Sequence, residues 1–285
     1  MTHAETTGLD TRTAGEGPLP RSWLFVPGNR PERFDRACAS GADAVIVDLE
    51  DAVAPADKDA ARSAVADWLS PACPVYLRIN AVDSDWFEDD LAVCAHPGVA
   101  GVVLPKAESV DVLARLAACA GKRVALLPLI ETARGMDCAR TLAEAGGVRR
   151  LLFGSIDFQL DLGIDGDGEE LAYFRSRLVL ASRLAGVQPP VDGVTTAIRD
   201  TALLEADTLR ARRMGFGGKL CIHPQQIAVV HRCFAPAADE VAWARRVEHA
   251  AASAAGAAVA VDGRMVDRPV LIKARRILAE AARRA

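Results

Sequence analysis

Several features that would place this chain of 285 residues among membrane, disulfide-rich or nucleic-acid-binding proteins are missing. No apolar run approaches the ~20 residues that a membrane-spanning helix needs. The 34 Lys and Arg and the 38 Asp and Glu are spread without blocks of one sign, which argues against nucleic acid or an anionic membrane as main partner. Aromatic residues make up only 5% and are dispersed, so no stacking platform for bases is predicted.

The spacing of the cysteines and the composition of residues 1–20 also argue against certain features. Seven cysteines are scattered along the chain, without a C-x-x-C pair, which is not typical of a zinc site or a disulfide scaffold. We therefore expect reduced cysteines, most of them small core residues, and a cytoplasmic location. Residues 1–20 lack the basic and apolar segments of a signal peptide, and we expect a disordered tail there.

Near-continuous apolar runs alternate with helical segments from residue 21 onwards. Strands that are apolar on both faces are typical of parallel sheets covered by helices. Eight such units within ~200 residues fit a closed (β/α)8 TIM barrel better than an open doubly wound sheet, so we predict an α/β barrel. The eight runs lie at 22–28, 42–51, 75–80, 99–108, 124–130, 150–154, 191–196 and 218–224.

The residues after the eighth run are not needed to close a barrel. An amphipathic helix at 237–254, a hairpin around Asp262-Gly263 and a basic helix at 270–283 are predicted. Since all eight strands are already used, this extension must pack outside the barrel or on another subunit. The predicted organisation is a tail at 1–20, a TIM-barrel catalytic domain at 21–235 and a C-terminal helical extension at 236–285.

Several common catalytic motifs are absent. The sequence contains no G-x-S-x-G elbow, no P-loop and no His/Cys set at zinc spacing. The glycine-rich stretch at 215–218 precedes a strand, so it is not a dinucleotide fingerprint. The acidic stretch at 161–170 fails the spacing of an EF-hand and is predicted to be a solvated loop.

Two carboxylates in the segment 124–157 are the first candidates for chemistry. Glu131 ends the fifth apolar run, Asp157 follows the sixth, and residues 132–145 between them have helical periodicity. A right-handed βαβ crossover brings both carboxylates to the C-terminal edge of the sheet, where hard oxygen ligands suit Mg²⁺. Spacing alone leaves the alternative that Glu131 caps the helix and Asp157 starts a turn.

The ends of other strands add charged residues to the same edge, which is where TIM barrels carry their sites. Arg78 fits either an ion pair with Glu50 or Asp51 or the carboxylate of a substrate. Glu50 and Asp51 are alternatively caps of the next helix. Three further residues have mainly structural alternatives: a buried acid at Asp48, a rim charge at Lys106 and a packed or hydrogen-bonding residue at His223.

These segments together resemble a known family. In order, they resemble the citrate lyase β-subunit (CitE-like) branch of the HpcH/HpaI aldolase family over residues 21 to about 281. Eight ordered motifs make the resemblance specific. They are RSWLFVPGNRPER, AVIVDLEDAV, LRIN, VVLPKAE, LLPLIETARG, LLFGSIDF, GKLCIHPQQI and DGRMVDRPVLIKARRIL.

The resemblance implies a role for particular residues. It implies a TIM barrel whose Mg²⁺ is held by Glu131 and Asp157, with Arg78 on the carboxylate or carbonyl of a keto acid. Asp267, in MVDRP, would be the catalytic Asp that reaches a neighbouring subunit's site, within a homotrimer. The remaining implied residues are Glu50 and Asp51 on metal-bound waters, and Phe25, Ile222 and His223 lining the substrate site.

The implied activity is a Mg²⁺-dependent carbon–carbon lyase. It would cleave or form a 3-hydroxyacyl-CoA thioester such as citramalyl-, malyl- or citryl-CoA, giving acetyl-CoA and a 2-oxo acid. Mg²⁺ stabilises charge on the reacting oxygen, and a positioned acid or base moves a proton at the thioester's α-carbon. Two alternatives remain, namely a citrate lyase β subunit that acts on an acyl-carrier-protein thioester and a non-catalytic metal-binding barrel.

Overall fold

The computed structural model describes residues 19–253 and 259–283, so most of the predicted tail at 1–20 lies outside the described residues. The chain forms two compact units. Pro20–His231 belong to one unit, and the described residues from Arg232 onwards belong to the other.

The first unit is a closed barrel of eight parallel strands that pair in sequence order, with the eighth strand returning to the first. The predicted fold class is therefore confirmed. The strands are β1 (Ser22–Pro27), β2 (Ala44–Asp48), β3 (Val75–Arg78), β4 (Val99–Leu104), β5 (Ala125–Ile130), β6 (Arg150–Phe153), β7 (Gln188–Asp192) and β8 (Gly218–Cys221).

Side chains fill the barrel, as the apolar runs require. Alternate strand residues point inward, and those from β1, β2, β4, β5, β6, β7 and β8 form one buried cluster. Burying this apolar surface is the main driving force that closes the barrel. The cluster comprises Trp23, Ala44, Ile46, Val103, Leu127, Leu129, Leu152, Val191 and Leu220.

Helices follow the strands and cover the barrel. The helix predicted at 132–145 is present as Ala133–Glu144, and its predicted apolar face, which includes Met136 and Leu142, is buried. The helices are α1 (Phe34–Cys38), α2 (Lys58–Trp68), α3 (Phe87–Cys94), α4 (Val110–Ala120), α5 (Ala133–Glu144), α6 (Ser155–Leu162), α7 (Ala172–Ala185), α8 (Thr201–Met214) and α9 (Gln225–Phe234).

The seventh strand lies earlier than the residues 191–196 predicted for it. Strand β7 begins at Gln188 and includes Pro189 and Pro190, although proline cannot donate to a ladder. The ladder needs no N–H from either proline. The N–H of Gln188 donates to Arg149 (3.0 Å), and the carbonyl of Pro190 accepts from Gly217 (3.0 Å).

The expectation that the cysteines are reduced was wrong for one pair. Cys38, at the end of α1, forms a disulfide with Cys73, which precedes β3, because the fold brings together residues 35 positions apart. Cys94, Cys221 and Cys233 form no disulfide and are buried, as expected of core residues. The acidic stretch at 161–170 is not merely solvated, since Asp167 pairs with the buried Arg175 (2.7 Å) and with Arg210 (3.1 Å).

The second unit consists of two helices and a two-stranded antiparallel sheet: α10 (Ala238–Ser253), β9 (Val259–Val261), β10 (Arg264–Val266) and α11 (Arg268–Ala282). The predicted hairpin is present. Asp262 and Gly263 both have positive φ angles (52° and 73°), as a two-residue type I′ turn requires. Ala244, Val247 and Ala274 are fully buried in this unit's own apolar cluster. Across residues 19–253 and 259–283, no helix has the length and apolar character needed to cross a bilayer.

Candidate active site

A cavity of about 370 Å³ opens at the C-terminal ends of the strands, which we call the mouth of the barrel. A second cavity, of about 290 Å³, lies near the N-terminal ends of β4 and β5 and has no acidic residue in its lining. The mouth cavity is lined by Phe25, Pro27, Asp48, Asp51, Ala52, Arg78, Leu129, Glu131, Phe153, Gly154, Ser155, Ile156, Asp157, Val194, Leu220 and Ile222. The mouth is therefore the candidate active site.

Arg78 is the central cation of the mouth, where β3 ends beside β2. Its Nε and Nη2 donate to the two carboxylate oxygens of the buried Asp48 (2.7 and 2.6 Å). Nη1 lies 3.2 Å from Asp51 and 3.0 Å from Glu50. Burial alone would lower the pKa of Arg78, but Asp48 outweighs it and holds the pKa above its ordinary value. Arg78 is thus a fixed, permanently charged fork, whose ring neighbour is Phe25 at 4.9 Å.

Asp48 has the structural role that the sequence left open for it. In addition to its bidentate pair with Arg78, it accepts the N–H of Glu50 (2.9 Å) and of Ala52 (3.2 Å). The loop after β2 is therefore folded around this one carboxylate. Glu50 and Asp51 do not cap α2, whose N-cap residue is Asp57.

Glu50 is a buried carboxylate with an incomplete set of partners. Its Oε2 is within ion-pair distance of Arg78, but the geometry is not that of a hydrogen bond, and the atom has no hydrogen-bond partner among the described residues. Burial raises the pKa of Glu50 to about 7, against the attraction of Arg78. Such an orphaned buried oxygen suits a water or a cation that completes its shell.

Glu131 directly follows β5, and its carboxylate turns into the mouth. Its Oε1 accepts the backbone N–H of Lys106 (2.7 Å), while α5 is capped by Thr132 and not by Glu131. Burial, followed by the charge of Glu50, raises the pKa of Glu131 to about 8. Gly154 leaves the room that this side chain occupies, since a Cβ there would collide with the carboxylate and the Cβ of Glu131.

Asp157 lies in the first turn of α6 and not at the end of β6 as expected, yet it still lines the cavity. Burial, and next the charge of Asp51, raises its pKa. Glu131 and Asp157 line the same cavity, and the charge of Asp157 contributes to the raised pKa of Glu131.

The mouth thus holds more negative charge than its own cations neutralise. Burial is the largest cause of the raised pKa values of Glu50, Glu131 and Asp157, and a bound cation would favour their ionised forms. Oxygen donors of this kind are the ligands that Mg²⁺ prefers. In residues 19–253 and 259–283 no group of three or more acidic, His or Cys side chains is arranged around one metal position, so a cation here would need ligands from substrate and water.

The remaining predicted residues divide into those near the cavity and those away from it. Phe25 and Ile222 line the cavity. His223 does not, and its Nδ1 accepts the N–H of Gln225 (3.2 Å) in the turn before α9. Lys106 has an exposed side chain and a positive φ of 45°, and it is its backbone N–H that holds Glu131.

Asp267 belongs to the second unit and is the N-cap of α11. Its Oδ1 accepts the N–H of Val270 (3.1 Å), and the residue is exposed. Within its own unit it therefore has a helix-capping role, which by itself would explain an Asp at this position.

Two cavity residues were missed by the sequence reasoning. Ser155 is buried and lines the mouth, and its hydroxyl has no hydrogen-bond partner among the described residues. Gly154 supplies the space for Glu131. Both follow the apolar run of β6 directly. The sequence signal that could have identified them is a pair of small residues at the C-terminal end of a barrel strand.

Comparisons with known proteins agree with this geometry. Residues 21–224 match the model of the family described as HpcH/HpaI aldolase/citrate lyase. A citrate lyase subunit beta-like protein of Deinococcus radiodurans is 40% identical over 93% of this chain and 98% of its own length. A (3S)-malyl-CoA thioesterase of Cereibacter sphaeroides is 33% identical over 92% of this chain and 94% of its own. The solved structure of CitE from Mycobacterium tuberculosis in complex with magnesium, acetoacetate and coenzyme A has a TM-score of 0.83 at 38% identity, covering 94% and 99% of the two chains.

Proposed function

The chain belongs to the HpcH/HpaI aldolase/citrate lyase family, and on that premise we propose that it is a Mg²⁺-dependent carbon–carbon lyase. It cleaves or forms a 3-hydroxyacyl-CoA thioester of the citramalyl-, malyl- or citryl-CoA type, with acetyl-CoA and a 2-oxo acid on the other side of the reaction. The observation that carries this proposal is the excess of buried carboxylate around Arg78 at the barrel mouth.

Glu131 and Asp157 would hold the metal. Their place in one cavity and the orphaned oxygen of Glu50 fit a cation there, and Gly154 leaves the room that Glu131 needs to reach it. When bound, Mg²⁺ acts as a Lewis acid that stabilises negative charge on the reacting oxygen of the 2-oxo acid. Glu50 and Asp51 would accept hydrogen bonds from its waters.

Arg78 would orient the keto acid. A guanidinium has five N–H groups: Nε and one N–H of Nη2 donate to Asp48 and one N–H of Nη1 donates to Asp51, while Glu50 lies beside Nη1 without a hydrogen bond. The second N–H of Nη2 is left for a carboxylate or carbonyl oxygen in the cavity. Because the fork is locked by Asp48, this donor is already aimed before the substrate arrives.

Asp267 would move the proton at the thioester's α-carbon. Its exposure in the second unit is compatible with donation to the mouth of a neighbouring subunit, onto which the extension at 236–285 would pack. The assembly we propose is a homotrimer. In this role Asp267 is a general acid in cleavage and a general base in condensation, so it must come within hydrogen-bond reach of the carbon's proton.

The compartment we propose is the cytoplasm, where CoA thioesters would be the partners. The Cys38–Cys73 disulfide is the feature that a reducing compartment would open. Counting free thiols in protein isolated without oxidation tests this placement. Seven free thiols would support the cytoplasm, whereas five would show that the disulfide persists and would contradict it.

The proposed activity is tested by incubating the protein and Mg²⁺ with each of malyl-, citramalyl- and citryl-CoA. Release of acetyl-CoA together with a 2-oxo acid is the expected result for at least one of them. Glu131→Gln should remove this activity and weaken Mg²⁺ binding measured by calorimetry. Glu144→Gln, an exposed change on α5, is the matched control and should leave both unchanged. Persistence of activity and metal affinity in Glu131→Gln would exclude the proposed metal site.

The same assay distinguishes a second reaction. Hydrolysis of the thioester is the alternative activity, because a 33% identical relative is named a (3S)-malyl-CoA thioesterase. Hydrolysis releases free CoA and leaves the hydroxy acid intact, whereas the lyase reaction gives acetyl-CoA. Free CoA as the only thiol-containing product would therefore replace the proposed lyase with a thioesterase.

A further inference from the structure

A lysine outside the mouth cavity holds the loop that carries Glu50. Lys58, the first residue of α2, is 6% exposed. Its Nζ donates to the backbone carbonyls of Leu49 (2.7 Å) and Glu50 (2.6 Å) and to Oδ1 of Asn80 (2.6 Å). None of these three acceptors is a carboxylate. The ammonium is thus buried against carbonyl oxygens, and it ties the end of β2 to the end of β3.

The far side of this ammonium is itself rigid. Asp90 accepts both the backbone N–H and the side-chain amide of Asn80 (2.8 and 2.7 Å), which aims Oδ1 of Asn80 at Lys58. Arg62, one turn further along α2, holds the other oxygen of Asp90 (2.8 Å). The ring of Trp86 lies 5.3 Å from Nζ and covers it. Lys58 is therefore fixed before any ligand binds.

The loop that Lys58 holds is the one that presents Glu50 to the mouth. Asp48 accepts the backbone N–H of Glu50, and Lys58 donates to the backbone carbonyl of Glu50. The backbone on both sides of Glu50 is therefore held, and its carboxylate lies 3.0 Å from Nη1 of Arg78. The sequence distance between Lys58 and Glu50 gives no hint of this contact.

We propose that Lys58 is a positioning residue of the mouth, whose ammonium fixes the backbone of Leu49 and Glu50 so that the Glu50 carboxylate is held toward the cation position. This inference rests on the proposed Mg²⁺ site, and it adds a residue that lines no part of the cavity.

The direction of the effect separates positioning from simple electrostatics. Lys58 carries a positive charge, so by Coulomb's law its removal alone must strengthen the binding of a second cation nearby. Loss of the Glu50 position has the opposite sign, because it removes a carboxylate from the cation's surroundings. Weaker Mg²⁺ binding by folded protein after neutralisation of Lys58 therefore has the sign expected of a displaced loop and not that of the lost charge.

The test uses Lys58→Met, which keeps the length of the side chain and removes its charge and donors. Calorimetric titration of the full chain with Mg²⁺ alone should show a dissociation constant raised about tenfold. Amide hydrogen exchange should become faster at residues 49–53 and stay unchanged in β5 and β6. Val65→Ala, a fully buried apolar position on the same helix, is the matched control, and it should lower the melting temperature without altering Mg²⁺ affinity. Should Lys58→Met fail to fold, Lys58→Gln replaces it, with the same expected direction.

A double-mutant cycle with Glu50→Gln decides whether the effect passes through Glu50. If it does, the change from Lys58 to Met should have little further effect on the Mg²⁺ dissociation constant once Glu50 is neutral, within about twofold. Equal effects in both backgrounds, or unchanged or tighter Mg²⁺ binding in Lys58→Met alone, would overturn the positioning role. Absence of Mg²⁺ binding in the unaltered protein would instead overturn the proposed metal site, so the two failures are distinguishable.

Discussion

Gly154→Ala is predicted to damage the metal site without changing any residue that would touch the metal. The backbone angles of Gly154 (φ −85°, ψ 72°) lie outside the left-handed region, so the change introduces no conformational strain of that kind. The added Cβ would, however, overlap the carboxylate of Glu131 and also its Cβ, at 2.6 Å. A Cβ cannot rotate away, and therefore the start of α6 or the end of β5 must shift.

The size of the effect follows from the cost of overpacking. Forcing one extra carbon into a packed site costs about 1–3 kcal/mol. If the shift is taken up by Glu131, the Mg²⁺ dissociation constant should rise about 5- to 150-fold, since that energy is lost on metal binding. Calorimetry with Mg²⁺ measures this directly, and thermal unfolding shows how much of the cost appears in stability instead.

Gly146→Ala is the control, because Gly146 has no heavy atom within 4 Å of the position that its Cβ would take. It should bind Mg²⁺ as the unaltered protein does. The reasoning is refuted if folded Gly154→Ala and Gly146→Ala bind Mg²⁺ equally well, since Glu131 would then either move freely or not hold the metal.

Three further predictions concern the proposed catalytic role of Asp267 in a neighbouring subunit, the buried Asp48–Arg78 ion pair, and the effect of Asp43 on stability at low pH. Asp267→Asn should retain the α11 cap and keto-acid binding but lose turnover. Mixing it with Glu131→Gln protein should restore activity. No recovery of activity under conditions of proven subunit exchange would contradict a site shared between subunits. Asp48→Asn leaves Arg78 without its bidentate partner, so urea unfolding should show a loss of about 3 kcal/mol, whereas a loss near zero would mean that the pair is not stabilising. Burial opposes ionisation of Asp43, yet hydrogen bonds from His231 and Arg21 outweigh it and hold its pKa well below the ordinary value. Its contribution to stability is therefore present above about pH 4 and lost as the pH falls toward the folded-state pKa, so between pH 6 and pH 3 Asp43→Asn should lose less unfolding free energy than the unaltered protein.

The sequence by itself determined the barrel and the neighbourhood of its mouth. Apolar runs with helical segments between them admit few arrangements, and the handedness of βαβ units places every strand's C-terminal end on one side. Glu131 and Arg78 therefore had to reach the same edge of the barrel. Helix α5 was predictable to within a residue at each end because its apolar periodicity and its capping Thr132 are local features.

Only the tertiary structure decided how those side chains are held. From the spacing, Glu50 and Asp51 were the expected ion-pair partners of Arg78. In the structure its main partner is Asp48, because the strand register places β2 beside β3 with Asp48 opposite Arg78. The Cys38–Cys73 disulfide and the three acceptors around Lys58 likewise depend on residues that are distant in sequence. Hydrogen bonds and ion pairs require distances of about 3 Å and defined angles, which no periodicity encodes. The sequence thus fixes which groups gather at the mouth, and the packing of the barrel decides which of them remain free for a cation and a substrate.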